Sequence, residues 1–537
     1  MNSDRNNMAR KPAHIFILTF FVFTFIFSAY FASAAGLYNS TDAPQFFTTE
    51  ALMSHRSPDL SVYSKDPHFF VYPDVIKRQG KILGMRGYLL SFFAIPLHVI
   101  SRVTKYVFKV SDFPKKVQTA NFAYELSVTS FFTIFSVLGL MFIFATSREI
   151  TKNSHIASLT TLLLAFGSYI WKYSSMYTRQ GFMVFLLGLS VYSMWRWINH
   201  KKILYFAIVC LCWAVSFGID VSLFISFSVY MFFYFLYKFM SFLLYRKNKE
   251  ILGKGLVVLI ASTPIIFINM ILNFVWYGSL HFYLYQHYRL TASIPTEKLN
   301  NFLIGTPLFP TLISVFLNFG RLPNSSFSPY SEYPQIAQWS GVQFAKVYPF
   351  YGLFVISPFL FFCIAGFILI LLKAKKLKSL AIFCFTIFSV GIVLNTKFSG
   401  FYSPNTYDVR YFYPYVLLLG VPIAVAFEWI FTVKDFTRKL LGIYLLLASA
   451  LFSLLMGWIG VLSMFKPALT GERRLWVNVT QIDKMLSKYT PSRLFNETFM
   501  NFRNVWVAIV FSLILFLLVK KISTLMIKFQ NNKKEIH

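Results

Sequence analysis

The residues best placed for chemistry in this chain are carboxylates and guanidiniums that stand where apolar runs give way to polar loops. The first is Asp42, in Leu37-Tyr38-Asn39-Ser40-Thr41-Asp42-Ala43-Pro44-Gln45-Phe46-Phe47, directly after an apolar run at about residues 14–34. A carboxylate there stands at the edge of a bilayer, within reach of a lipid-borne head group, where it can serve as a general base. Asp220, in Ser216-Phe217-Gly218-Ile219-Asp220-Val221, sits in a very tight turn between two apolar runs. An unpaired carboxylate is costly there, so it calls for a partner, a task, or the N-cap of the following helix. Arg410, in Tyr407-Asp408-Val409-Arg410-Tyr411-Phe412-Tyr413-Pro414, opens an apolar run. A cation there can hold a lipid-linked phosphate, or snorkel to the interface paired with Asp408. Arg179-Gln180 opens another run in the same manner, and Lys77 and Arg78 form a basic pair suited to neutralising a phosphate near head groups. The other charges of the loop after Asp42, among them Glu50, Lys65 and Lys81, read individually as solvated loop charge.

The elements that must position these groups are membrane helices. Of the 537 residues, 56% are hydrophobic and 13% charged, and the mean hydropathy is +0.58. A soluble fold would leave too much of that apolar surface exposed. Apolar runs near residues 14–34, 121–146, 156–172, 180–197, 203–218, 221–243, 255–276, 350–372, 379–396, 411–431, 440–465 and 506–527 each approach the roughly 20 residues that cross a bilayer. The expectation is an all-α polytopic membrane protein of about twelve spans, one membrane domain over residues 1–537. Ala32-Ser33-Ala34 fits a small-residue cleavage pattern, but the run before it exceeds a usual signal core, so it reads as a retained helix.

Charge parity orients the chain. With the N-terminus inside, Arg148 and Lys152, Lys201 and Lys202, Arg246 to Lys249, Lys373 to Lys378, Lys434 to Lys439 and the C-terminal lysines all fall on the cytoplasmic side, so both termini are cytoplasmic. This requires that the stretch from about Gly87 to Lys109 not cross. Its Ser91, His98, Arg102, Lys105 and Lys109 recur on one helical face, as in an interfacial amphipathic helix, with Pro96 a kink. The outer face then holds a large first loop, residues 35–120, and further loops at 277–349, 397–410 and 466–505. The sequons at Asn39, Asn324, Asn478 and Asn496 all lie in these loops.

Positive-inside topology accounts for most of the net charge of +31, so no nucleic acid is expected as partner. Cys210, Cys212, Cys363 and Cys384 lie inside apolar runs without metal-ligand spacing. No metal site is expected, and the sequence lends a divalent cofactor no support. No Walker A loop, HExxH or GxSxG is present, and no cytoplasmic loop is long enough for a nucleotide-sugar transferase domain.

Taken in order, these segments resemble the membrane-embedded glycosyltransferases of the GT-C fold, the group that includes protein O-mannosyltransferases and the aminoarabinose transferase of lipid A. The resemblance rests on Thr41-Asp42 after the first helix and on Lys77-Arg78-Gln79-Gly80-Lys81-Ile82-Leu83-Gly84-Met85-Arg86-Gly87 leading into an amphipathic helix. It also rests on Tyr351-Gly352-Leu353-Phe354-Val355-Ile356-Ser357-Pro358 and on Asp408-Val409-Arg410-Tyr411-Phe412-Tyr413-Pro414. Many relatives carry Asp-Glu where this chain has Asp42-Ala43, and Gly-Pro where it has Asp408-Val409. The resemblance implies transfer of a sugar from a polyprenyl-phosphate donor to a glycan, lipid or protein acceptor on the outer face of the plasma membrane, with inversion. In that scheme Asp42 is the general base, and Arg410 or the Lys77/Arg78 pair, with Asp408, Asp220 and Arg179 nearby, serves the lipid phosphate and sugar. The rival is a transporter or flippase of a lipid-linked saccharide, in which charge within spans and repeat symmetry are expected; here nearly all charge lies in loops.

Overall fold

The computed structural model describes residues 17–31, 33–34, 42–65, 75–78, 80–84, 88–107, 122–245, 249–277, 308–317, 352–373, 375–397 and 411–462. They form a helical membrane protein. Seven helices are long and apolar enough to cross a bilayer: Ser127–Thr151, Arg179–His200, Val221–Leu244, Gly253–Trp276, Leu377–Thr396, Tyr413–Thr432 and Phe436–Trp458. Shorter apolar helices at Ile17–Phe31, Ser154–Phe166, Ile203–Ser216 and Pro358–Leu372 coincide with further expected runs. The run at 506–527 lies outside the described residues, as do the outer loop 466–505 and most of 277–349.

The middle of the bundle is made by α5 (Ile134–Thr151) and α8 (Arg179–His200), with α9 (Ile203–Ser216) packed on α8. The α5–α8 crossing is set by two glycines. A Cβ on Gly139 would overlap the Val184 backbone, and one on Gly188 would overlap the Gly139 backbone. Small residues at such a crossing let two helices touch backbone to backbone, which is how close packing is gained where lipid offers no hydrophobic drive. Helix α1 (Ile17–Phe31) buries Ile26, Phe27, Tyr30 and Phe31 in the same core. Hydroxyls in these helices satisfy themselves against the preceding turn, as Thr160 does on Ile156 O and Thr161 on Ala157 O. By contrast, α10 (Val221–Tyr245) and α11 (Lys249–Tyr277) leave Phe232, Phe233, Tyr237, Ile260 and Ile271 exposed, an apolar outer surface that suits lipid.

The turns at one end are short and basic. Helices α5 and α8 stop at Lys152 and Lys201, whose φ angles of 55° and 54° are left-handed and whose N–H groups bond back to Arg148 O and Trp197 O. Glycine usually takes that position; lysine there adds positive charge to that end of the bundle. The four cysteines are free and buried among apolar side chains.

At the other end, part of the first loop is built. Helix α2 (Asp42–His55) is followed by a hairpin, β1 (Val75–Arg78) paired antiparallel with β2 (Lys81–Gly84), and by α3 (Leu89–Val107). The hairpin departs from the all-α expectation. It turns at Gly80, φ +75°, a conformation that costs glycine nothing. Asp59 Oδ1 accepts from Ser61 N, Ser61 Oγ and Ile82 N, fastening the hairpin to the end of α2. Helix α3 runs continuously through Pro96. Its expected polar stripe is split: Ser91 and His98 are buried, Arg102 is exposed, Lys105 is half-buried and Lys109 lies outside the described residues, while Phe92, Val99, Val103 and Val107 are exposed. The buried face, which also carries Leu90, Ala94, Leu97 and Ser101, packs on α2 and on α4 (Phe122–Phe132).

Candidate functional site

The segment between α6 (Ser154–Phe166) and α8 gathers the polar groups at this end. It contains the short helix α7 (Ile170–Ser174) and the turn Ser175–Thr178. Trp171 Nε1 donates to Ser33 Oγ at 2.9 Å, and Ser33 and Ser175 share a hydroxyl hydrogen bond of 2.8 Å. Tyr30 OH donates to Ala165 O at 2.7 Å. The chain leaving α1 is therefore pinned to this segment shortly before it reaches Asp42.

A buried network joins the segment to the first loop. Glu50 is 8% exposed, in α2. Its Oε1 lies 2.5 Å from both His98 Nδ1 and Tyr124 OH, and its Oε2 accepts from Arg102 Nη2. His98 Nε2 meets Tyr177 OH at 3.2 Å, and Tyr177 OH meets Thr49 Oγ1 at 3.0 Å. The solvated role expected for Glu50 is therefore overturned. Burial alone would raise its carboxyl, but the hydrogen bond and charge of His98, with the bonds from Tyr124 and Arg102, outweigh it and hold the group at about 2. Burial pushes the His98 ring below its ordinary value, against the pull of Glu50. Nδ1 of the ring donates to the carboxylate and Nε2 meets the Tyr177 hydroxyl.

Two positions beyond Tyr177 the chain enters α8 at Arg179, and a second network begins. Arg179 Nη2 lies 3.2 Å from Asp220 Oδ2, with both side chains about nine-tenths buried. Asp220 Oδ1 accepts from Leu223 N at 3.2 Å and from Ser222 Oγ at 2.5 Å. Asp220 thus caps α10 and pairs with a cation at once, so both roles open to it in the sequence are filled. Ser222 Oγ also meets Tyr415 OH at 2.9 Å and accepts from Asn395 Nδ2 at 3.1 Å. A cation at a helix N-terminus opposes the helix dipole; the Asp220 carboxylate offsets that, and the Tyr411 ring lies 5.9 Å beneath the guanidinium. Arg179 Nε and Gln180 Oε1 are buried and make no hydrogen bond to a described residue.

A second buried cation stands close by in the chain. Lys172 is 2% exposed, its ammonium 5.4 Å from the Tyr173 ring and 5.6 Å from Tyr169. Tyr173 stacks on Tyr413 with centroids 4.6 Å apart. One end of the bundle therefore concentrates guanidinium, ammonium, carboxylate and phenol groups in a largely dry setting.

Of the residues singled out in the sequence, the structure brings Arg179 and Asp220 together. Asp42 is the first residue of α2, whose Thr49 touches Tyr177. Lys77 and Arg78 lie on β1, paired in register with Ile82 and Lys81. Arg410 and Asp408 fall outside the described residues, immediately before Tyr411. Sequence reasoning read Glu50 as solvated loop charge, passed over Lys172, Tyr177 and Tyr415, and saw His98 and Arg102 only as a polar stripe. A signal for Glu50 was present, since an acid on a helix otherwise lined by Phe46, Phe47, Ala51 and Leu52 has few places to go but inward. Among the described residues no group of three or more His, Cys, Asp or Glu could hold a metal ion. No family model matches the chain, and no curated protein matches it.

Proposed function

We propose that this protein is a membrane glycosyltransferase of the GT-C type, which moves a sugar from a polyprenyl phosphate to a glycan, lipid or protein acceptor on the outer face of the plasma membrane. In this reading the chain has twelve spans with both termini cytoplasmic. The observation that carries it is the docking of the helix that begins at Asp42 onto the turn that leads into the Arg179–Asp220 pair, through Thr49 and Tyr177. In this reading the acid that opens α2 and the cations of α7 and α8 serve one substrate.

The donor phosphate is held by Arg179 and Lys172, joined by Arg410 with Asp408 from the segment before Tyr411 and by Lys77 and Arg78 from the hairpin. Asp42 removes the proton from an acceptor hydroxyl. The oxygen attacks the anomeric carbon from the face opposite the phosphate, the carbon–oxygen bond to phosphate breaks, and polyprenyl phosphate leaves with the electron pair, already ionised. No strong general acid is required, and the cations stabilise charge growing on the leaving group. A carboxylate alone suffices for the base, so the scheme invokes no metal.

The test is sugar transfer in membranes from radiolabelled polyprenyl-phosphate donors, comparing the native chain with Asp42→Asn at matched expression. The reading expects transfer by the native protein and loss of at least 100-fold in rate in the variant, the scale of a removed general base. Retention of activity by Asp42→Asn sinks the base assignment, and failure of the native chain to transfer any such donor favours transport of a lipid-linked saccharide.

A further inference from the structure

We infer that the buried start of α8 reads the sugar of the lipid-linked donor: Gln180 accepts a hydrogen bond from the hydroxyl on the carbon next to the anomeric carbon, so the donors are sugars with a free 2-hydroxyl rather than 2-deoxy sugars. This rests on the glycosyltransfer reading and names the class of sugar bound beside Arg179. Helix α8 begins without a side-chain cap. Thr178, its N-cap residue, gives its hydroxyl to Tyr173 O at 3.3 Å and makes no capping bond. N–H groups at such an end attract an anion, and one phosphate satisfies several of them. The end is also dry, for Thr178, Arg179 and Gln180 are all buried, Gln180 with only 2% of its surface exposed.

Two atoms in this first turn are left over. Gln180 Oε1 and Arg179 Nε are buried and make no hydrogen bond to a described residue, although Arg179 Nη2 and both carboxylate oxygens of Asp220 are engaged. A buried amide oxygen without a donor is costly, so the fold has a reason to keep one only where something else completes it. Cα–Cβ bonds tilt towards the N-terminus of a helix, so the side chains of the first turn lean past its end, to where its N–H groups point. An occupant there meets the guanidinium, the N–H groups and the Gln180 amide together. The donor's phosphodiester suits the first two, since it accepts from both. It has no hydrogen to give Gln180 Oε1, but the sugar it carries has. Two groups flank the anomeric carbon that bears the phosphate, the ring oxygen and the 2-hydroxyl. The ring oxygen only accepts, which leaves the 2-hydroxyl as the nearest group that can donate to the amide oxygen.

The experiment is equilibrium binding to the purified full chain in detergent, with farnesyl phosphate, its glucosyl and mannosyl derivatives, and the 2-deoxy derivative common to both sugars as probes. The native chain should bind the glucosyl or the mannosyl probe about five- to tenfold more tightly than the 2-deoxy probe, the scale of one neutral hydrogen bond. Gln180→Met, of similar size without the amide, should erase that difference and leave the affinity for farnesyl phosphate unchanged. Its melting temperature should not fall, because the fold itself loses no hydrogen bond at Oε1. No binding of either hexosyl probe, equal binding of the 2-hydroxy and 2-deoxy probes, or a difference that survives Gln180→Met overturns the inference. An equal loss on every probe also overturns it, since that is what a structural role gives. Gln180→Asn, which withdraws the amide by one methylene, carries the same test should Gln180→Met fail to fold. Binding and transfer fail separately: a native chain that shows the difference but transfers neither sugar sinks the glycosyltransfer reading and leaves a binding site for the glycolipid, whereas transfer lost in Asp42→Asn with no 2-hydroxyl difference leaves that reading and sinks this one.

Discussion

Arg179 and Asp220 open two different helices, α8 and α10, and meet in a buried ion pair of 3.2 Å at the end of the bundle where the polar groups collect. Each is needed by the other. Removing one partner strands a buried charge, which costs on the order of 3–5 kcal/mol, whereas removing both forfeits little beyond packing. Arg179→Ala or Asp220→Ala alone should therefore lower the melting temperature strongly, and the double variant should recover part of the loss. A double-mutant cycle on detergent-solubilised protein measures this; the expected coupling is on the order of 1–3 kcal/mol, and additive losses would show that the pair is not buried as described.

Acid should weaken the first loop's attachment through Glu50 and His98. Glu50 is held at about 2 against an ordinary 4.5, so its contribution is complete above pH 4.5 and disappears as pH falls towards 2. His98 is likewise depressed by burial, so its share begins to fall below an ordinary 6.5. Both signs agree: stability declines on acidification and does not rise. Glu50→Gln should be destabilised by on the order of 1–3 kcal/mol at pH 7, with a flatter melting profile between pH 5 and 3 than the native chain. An unchanged profile would mean that the carboxyl is not ionised in the fold.

The α5–α8 crossing leaves no room for a side chain at Gly139, where an added methyl meets backbone and not a flexible side chain. Backbone cannot step aside as a rotamer can. Gly139→Ala is expected to cost about 1–3 kcal/mol, at the upper end for overpacking, despite its higher helix propensity. Gly253, whose added methyl would meet nothing, is the control, and Gly253→Ala should be neutral or slightly stabilising. Melting temperatures of the two variants settle the comparison.

Sidedness can be read with cysteines, since the four native thiols are buried. Ser54, exposed at the end of α2, and Asp435, exposed between the helices Gly420–Thr432 and Phe436–Leu462, lie at opposite ends of the bundle. In intact cells a membrane-impermeant maleimide should label Ser54→Cys and spare Asp435→Cys until the membrane is opened. The reverse pattern would invert the topology.

Much was legible in the sequence because the relevant forces are local. A run of apolar residues must enter the bilayer wherever it occurs, and a helix end lies near the end of its run. Seven long apolar helices among the described residues, the buried cysteines and the placing of Arg179 and Asp220 at helix starts follow from that. Part of the polar stripe of α3, Ser91 and His98, was legible as one face too, since that depends only on helical spacing.

Which way that stripe faces was not, because local spacing does not say what lies opposite. Tertiary packing set α2 against α3, and this alone turned Glu50 from a loop charge into a buried carboxylate with His98, Arg102 and Tyr124 around it. The same holds for Tyr177 and Lys172, ordinary residues in sequence, whose surroundings come from segments far away in the chain. Desolvation and hydrogen bonding act over a few ångströms in space, and only the folded chain decides which residues share that distance.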